Sequence, residues 1–205
     1  MTEIETAVSI LKDLQRPVVL ELGAHYGVDT CVMYDACSDP VYIAVEPDPR
    51  VFQVLIEAVG SRNALLVEKA ISDHVGEAVL HLCESESLAS SSIRAPKEHL
   101  TCFPWITFER DLAVECLTLD ALAEQQGLDY VDLIWSDLQG AERDMIAGGQ
   151  RTLAMTKHLI LECDRVEMYE GQITRDEIMG YLPDFELIDE WPDSANLYLR
   201  NRRLA

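Results

Sequence analysis

The chain reads as an α/β fold built on a mostly parallel sheet. Three observations carry this expectation. Apolar runs such as VVLEL (18–22) and VYIAV (41–45) alternate with helical segments, and glycines or acids close them. The same rhythm returns late in the chain, with YVDLIWSD (130–137) and HLILECD (158–164). Strands covered on both faces appear as unbroken apolar runs, and their alternation with helices produces right-handed parallel crossovers.

Taken in order, residues 3–15 form an amphipathic helix with Ile4, Val8 and Leu11 on one face, ended by Pro17. The strand at 18–22 leads into a helix from about Gly27 to Cys37. Pro40 precedes the strand at 41–45, and Glu46-Pro47 closes it. Asp48 caps the next helix, since Pro49 suits the first helical position. ALLVEKAI (64–71) reads as a third strand, and EAVLHLCE (77–84) as an alternating edge or hairpin strand. Residues 85–111 have neither period and form a lid-like loop. A short strand at 113–117 and a short helix at 118–126 restore the parallel rhythm before the strand at 130–137. AERDMIAGGQRTL (141–153) is helical until its glycines, and the strand at 158–164 follows. A helix near 174–182 precedes FELIDEW (185–191) and NLYLRN (196–201), a hairpin turned at Asp193 and Ser194.

At 205 residues, a single domain over 1–205 is expected, because a second core would be cramped. The formal net charge of −21 repels phosphate backbones, so nucleic acid and anionic membrane are poor partners. No run reaches the roughly 20 apolar residues of a membrane span. The acidic, amphipathic N-terminus is unlike a secretory signal, so a soluble cytoplasmic protein is expected. Six cysteines, with no C-x-x-C pair, are expected to be reduced thiols.

Ligands of open α/β sheets bind beyond the carboxyl ends of the strands, where strand order reverses. The first such turn is ELGAHYG (21–27), with Gly23 and Gly27 four apart. Ala24 and His25 occupy the gap where a dinucleotide fingerprint has its middle glycine. Glu21 would repel a pyrophosphate but favours a cationic ligand. S-adenosylmethionine fits: it carries a sulfonium and an ammonium and has no phosphate. Glu46, 19 residues beyond Gly27, can accept both ribose hydroxyl protons. Either acid could instead be structural, Glu21 in a salt bridge and Glu46 as a helix cap. Asp137, Glu162 and Asp164 end the neighbouring strands, where buried carboxylates need partners or a ligand.

The ordered series ELGAHYG, VEPDP, EKAISDHVGEAVLHL, SSSI, TLDAL, DLIWSDLQGAE, AGG and LILECD resembles the FkbM family of methyltransferases across about residues 17–164. That resemblance implies a Rossmann-like class I methyltransferase fold. Its sheet would be mostly parallel and seven-stranded, with helices on both faces and a C-terminal antiparallel hairpin. It implies S-adenosylmethionine as donor and a hydroxyl on a sugar, glycan or secondary metabolite as acceptor. Carried over by position, Glu21, Gly23, Ala24 and Gly27 meet the methionine end, Glu46 the ribose, and Ala70 with Ile71 the adenine. His25, which stands where Asn is common, Asp48 and Asp137 are further cofactor-binding candidates. Asp137, Gly140 and Glu142 match the family's Asp-x-Glu-Gly-x-Glu block. Gln139 replaces its middle Glu, Trp135-Ser136 replaces a frequent Lys-Ile, and Asp164 stands where many relatives have His.

Asp137 is the leading general base or orienting group, with Glu162 and Glu142 as second choices. Mg²⁺ held by Asp137 with Asp164 is an alternative way to activate the acceptor. His25 is expected to hydrogen-bond locally. Ser90 to Ser92 either touch ligand or form a polar loop. Phe103, Trp105 and Phe108 either line an acceptor pocket or pin the loop. A nicotinamide oxidoreductase and a noncatalytic S-adenosylmethionine-binding module are the rival readings. Oligomeric state stays open.

Overall fold

The computed structural model describes residues 1–84, 88–191 and 193–204. Its main sheet contains β1 (Val18–Leu22), β2 (Val41–Val45), β3 (Ala64–Val67), β7 (Val131–Ser136), β8 (Thr156–Glu162), β9 (Phe185–Trp191) and β10 (Asn196–Asn201). The seven strands run in the order β3-β2-β1-β7-β8-β10-β9. The first five are mutually parallel, while β10 is antiparallel to both β8 and β9. The expected seven-stranded parallel sheet with a C-terminal hairpin is therefore present. Strand order reverses between β1 and β7, which defines the crevice where a ligand is expected.

Both faces of the sheet are covered. Val19, Tyr42, Ala44, Leu133 and Ile160 pack on one side with Ala7 and Leu11 of α1 (Glu3–Leu11), Met33 of α2 (Val28–Asp35) and Leu55 of α3 (Pro49–Val59). Leu20, Leu22, Ile43, Ile134 and Leu159 pack on the other. There they meet α5 (Leu119–Gln125), α6 (Glu142–Ala147), α7 (Gln150–Ala154) and α8 (Ile178–Tyr181). Each fully covered Leu or Ile contributes about 1.5–3 kcal/mol relative to exposure. Asp48 caps α3 through the Arg50 amide, and Thr118 caps α5 through that of Ala121.

Two expectations change. The run 64–71 is two elements: β3 belongs to the main sheet, but β4 (Ala70–Ile71) leaves it after Glu68-Lys69 to pair with β6. β6 (Thr107–Leu117) is a long strand, not a short one within the parallel sheet. It pairs antiparallel with β5 (Gly76–Glu84) in a three-stranded sheet ordered β4-β6-β5. Residues 107–111, expected in the lid-like loop, therefore lie in β6. The charged run Glu109-Arg110-Asp111 hid the strand, because Arg110 interrupts the apolar alternation of Phe108, Leu112, Val114 and Cys116. Within the same expected loop, residues 85–87 lie outside the described residues, and α4 (His99–Cys102) is a single turn. The helical stretch from 141 ends at its glycines as expected, with Gly148-Gly149 separating α6 from a further short helix, α7.

Candidate functional site

The β1 turn is tied down on both sides. The Gly23 and Ala24 amides donate to the Val45 carbonyl at 2.9 Å each, and the Asp137 amide donates to the Leu22 carbonyl at 2.8 Å. Gly23 has φ +88°, and a Cβ there would sit 1.9 Å from the Asp137 carbonyl oxygen. Glycine is thus required by both conformation and space.

Above this turn lies a pocket with about 880 Å³ of empty volume, counting space open to solvent. Gly23, Ala24, His25, Glu46, Ala70, Ile71 and Asp137 all line it, as do Asp29, Leu80, Trp135 and the serine segment at Ser91-Ser92. Among the described residues, no lysine or arginine lines it, whereas Asp29, Glu46 and Asp137 do. That balance disfavours a pyrophosphate and suits a ligand with cationic groups. Glu46 is almost fully buried. Its Oε2 accepts the His25 amide at 3.0 Å and its Oε1 the Asp48 amide at 2.8 Å. Lone pairs remain on each oxygen for further donors. Burial pushes the Glu46 carboxyl up to about 7, the two backbone donors opposing the shift.

Other expected residues stand behind this lining. Glu21 points beneath the turn, 1% exposed, and accepts the Tyr42 hydroxyl at 2.8 Å. Burial raises its carboxyl to about 8, so it is a buried neutral acid at pH 7, not a salt-bridged one. Gly27 starts α2 at φ +78° and does not line the pocket. Asp48 is covered too: it pairs with Arg50, 2.6 Å from Nη2, and accepts the Ser91 hydroxyl at 3.3 Å. Through that network the serine segment is fastened to the end of β2. Ser92 Oγ fastens it also to the Gln139 carbonyl at 2.7 Å. His25 stacks on Tyr26 at a centroid distance of 3.9 Å.

At the end of β7, the Gln139 side-chain amide donates to Asp137 Oδ1 and to Glu162 Oε2, both at 2.7 Å. The Tyr169 hydroxyl donates to Gln139 Oε1 at 2.8 Å and to the Ser90 carbonyl at 3.0 Å. Burial, the Asp137 charge and a hydrogen bond with Asp137 hold the Glu162 carboxyl well above the usual range. Glu142 faces neither this pocket nor the cavity beside it. It is 1% exposed, accepts the Leu138 amide at 3.1 Å and is pushed up to about 8 by burial. It closes the 138–142 turn.

The arrangement does not make a cation cradle. Asp137 Oδ1 accepts the Gln139 amide, while Asp164 Oδ2 accepts the Gln172 amide at 3.3 Å. Among the described residues, no three His, Cys, Asp or Glu side chains converge as a metal set. The donor set does not fit Mg²⁺ on Asp137 and Asp164.

Comparison with known proteins decides the lineage. Residues 21–195 match the methyltransferase FkbM domain. The chain belongs to the FkbM methyltransferase family. It is 37% identical over 196 residues to the 2-O-methyltransferase NoeI of Sinorhizobium fredii, covering 92% of this chain and 81% of that protein. Among solved structures it is similar to Aeropyrum pernix fibrillarin in complex with S-adenosyl-L-methionine. That match has TM-score 0.52 and 14% identity, and covers 96% of this chain and 74% of that one. It is also similar to magnesium protoporphyrin IX methyltransferase of Synechocystis with bound donor, at TM-score 0.53 and 11% identity, over 96% and 76% of the two chains. These structures share the class I methyltransferase fold. This FkbM protein is an S-adenosylmethionine-dependent O-methyltransferase, as its motifs led one to expect. No helix among the described residues is long and apolar enough to cross a membrane.

Sequence reasoning did not single out Asp29, Leu80, His99 or Tyr169. Asp29 had a signal, being an acid one turn into the helix that follows the glycine turn. His99 and Tyr169 had none, because each reaches the site through irregular chain.

Proposed function

We propose that this methyltransferase acts on a hydroxyl of a sugar, glycan or secondary metabolite, with Asp137 as the group that orients the acceptor and takes its proton. The observation that carries this reading is the position of Asp137. It is exposed at the mouth of the pocket, beside the turn that meets the donor's methionine end, and Gln139 holds it. Bound S-adenosylmethionine supplies an electrophilic methyl group on a sulfonium. The remaining lone pairs of Glu46 take the ribose hydroxyls, and Ala70, Ile71 and Leu80 form the apolar wall for adenine. Gly23, Ala24, His25 and Asp29 surround the amino-acid end. Gln139 sets the carboxylate plane of Asp137, and the serine segment limits water around it. Glu162 lines the neighbouring cavity, not the donor pocket, and is tied to the Gln139 amide, so it is placed second to Asp137 as base. Glu142, closed beneath its turn, is assigned no contact with substrate.

The 2-O-methyltransferase name of the Sinorhizobium relative supports a hydroxyl acceptor, and the absence of basic residues from the pocket lining supports a donor without phosphate. Cys31, Cys37, Cys102, Cys116 and Cys163 are free thiols, which supports a cytoplasmic, reducing setting. The test is a mass-shift screen, with purified protein and labelled S-adenosylmethionine incubated with saccharide and metabolite extracts. A labelled methyl ether on a hydroxyl is expected. Asp137→Asn should lower turnover about 10²- to 10⁴-fold while S-adenosylhomocysteine still binds. Label found only on amines or carboxylates would sink the reading, as would full turnover in that variant.

A further inference from the structure

Beside the donor pocket lies a second cavity that shares only Ala89 and Gln139 with it. Its walls come from the chain between β5 and β6, the ends of β7 and β8, and the β9–β10 turn. His99 lines it and is 4% exposed. The imidazole Nδ1 is buried with no hydrogen-bond partner among the described residues. The ring is held by aromatic neighbours, with centroids 5.0 Å from Phe103, 5.3 Å from Phe108 and 5.4 Å from Tyr169. Burial lowers its pKa, against the pull of Asp164, so it is a neutral imidazole with one donor and one acceptor. A buried polar group left unpaired is destabilising, and a ligand hydroxyl would remove that cost.

The charges around the cavity are of one sign. Glu162, Asp164 and Asp193 line it, Asp137 stands behind Gln139, and no lysine or arginine is in the lining. Arg175 is the cation near Asp164, but its guanidinium donates to the Asn196 carbonyl and pairs with Glu190. A carboxylate or phosphate on the acceptor would enter without a counter-charge. Phe103 offers an aromatic face at the rim, suited to the C–H face of a pyranose ring.

We propose that this cavity is the acceptor subsite, and that it takes an uncharged or amino-bearing sugar hydrogen-bonded to His99 and packed on Phe103, refusing uronic and phosphorylated sugars. The proposal rests on the sugar-hydroxyl reading above. It adds where the acceptor sits, which side chain reads it and what charge it carries.

The test uses ¹⁵N-histidine NMR on the full protein saturated with S-adenosylhomocysteine. The methyl glycosides of glucose, N-acetylglucosamine and glucosamine are titrated in through the millimolar range, with methyl glucuronide as the anionic arm. At least one uncharged or amino glycoside should shift the His99 nitrogens saturably while the exposed His74 stays still, and the glucuronide should not. Asp193→Lys, on an exposed turn, should tighten glucuronide binding by roughly tenfold. A His99 signal that no uncharged or amino glycoside moves would overturn the subsite, and an equal response to glucuronide would overturn its charge selection. If saccharides are methylated in the mass-shift screen while His99 stays unmoved, only the subsite falls. Glycosides that shift His99 but are never methylated would uphold the sugar-binding cavity and sink the sugar reading of the reaction.

Discussion

Gly23 and Asp137 are in backbone contact: a Cβ on Gly23 would lie 1.9 Å from the Asp137 carbonyl oxygen. The turn that faces the donor and the strand end that carries the proposed base are therefore set against each other with no side chain between them. Gly23→Ala forces them apart and places a non-glycine residue at φ +88°. A loss of about 3 kcal/mol is expected in urea unfolding, with S-adenosylhomocysteine binding abolished. A variant that keeps parental stability and affinity would show that this contact is dispensable.

Stability should fall as pH rises from about 5 to 8. Glu21, Glu46 and Glu142 are raised by burial to about 8, 7 and 8 from a reference of 4.5, so in this window the folded chain binds more protons than the unfolded chain. Their burial is tolerated in full below the unfolded value, and that advantage disappears as pH passes through the folded values. Urea midpoints measured across this range should decline steadily. Glu21→Gln should flatten the decline and be more stable than the parent at pH 8.

Donor binding should release protons near neutral pH. Ribose hydroxyls donating to Glu46 favour its charged form, and its carboxyl stands near 7 before they arrive. Calorimetry of S-adenosylhomocysteine in buffers of different ionisation enthalpy gives the proton count directly. Glu46→Gln should abolish the release and weaken binding about tenfold or more, the effect of losing a charged acceptor. Binding with no proton exchange would place the ribose elsewhere.

Arg50→Ala should cost about 3 kcal/mol, since it leaves the covered Asp48 carboxylate without its cation. It also unfastens Ser91, so S-adenosylhomocysteine should dissociate faster, a change that stopped-flow measurements would detect. An unaltered off-rate would mean that the serine segment is held sufficiently by Ser92 and Tyr169 alone.

Much of the donor side was legible because it resides in regular structure. The parallel strands carry unbroken apolar runs, and their ends place Glu46 and Asp137 by simple counting. Gly23 and Asp48 could be read from backbone requirements that few other residues meet. Distinguishing a lining carboxylate from a buried one was harder. Glu21 follows the two-residue alternation of β1, which turns it to the face of Val19 and away from the cavity, yet the sequence does not say which face lies open. The β3–β4 split was hidden because Glu68 and Lys69 interrupt what otherwise reads as one strand. His99 and Tyr169 were invisible for another reason. Each is positioned by long-range contacts of non-repetitive chain, such as the His99 amide on the Met168 carbonyl at 3.2 Å, and no local pattern encodes those.

The origin of each wall bears on how such an enzyme diversifies. The proposed donor contacts sit mainly at the tips of strands whose spacing the whole core enforces, so drift there is punished. His99, Phe103 and Asp193 instead belong to connections outside that framework, where insertions and substitutions disturb little else. Descendants of one ancestor could therefore exchange their substrates while inheriting the methylating machinery intact.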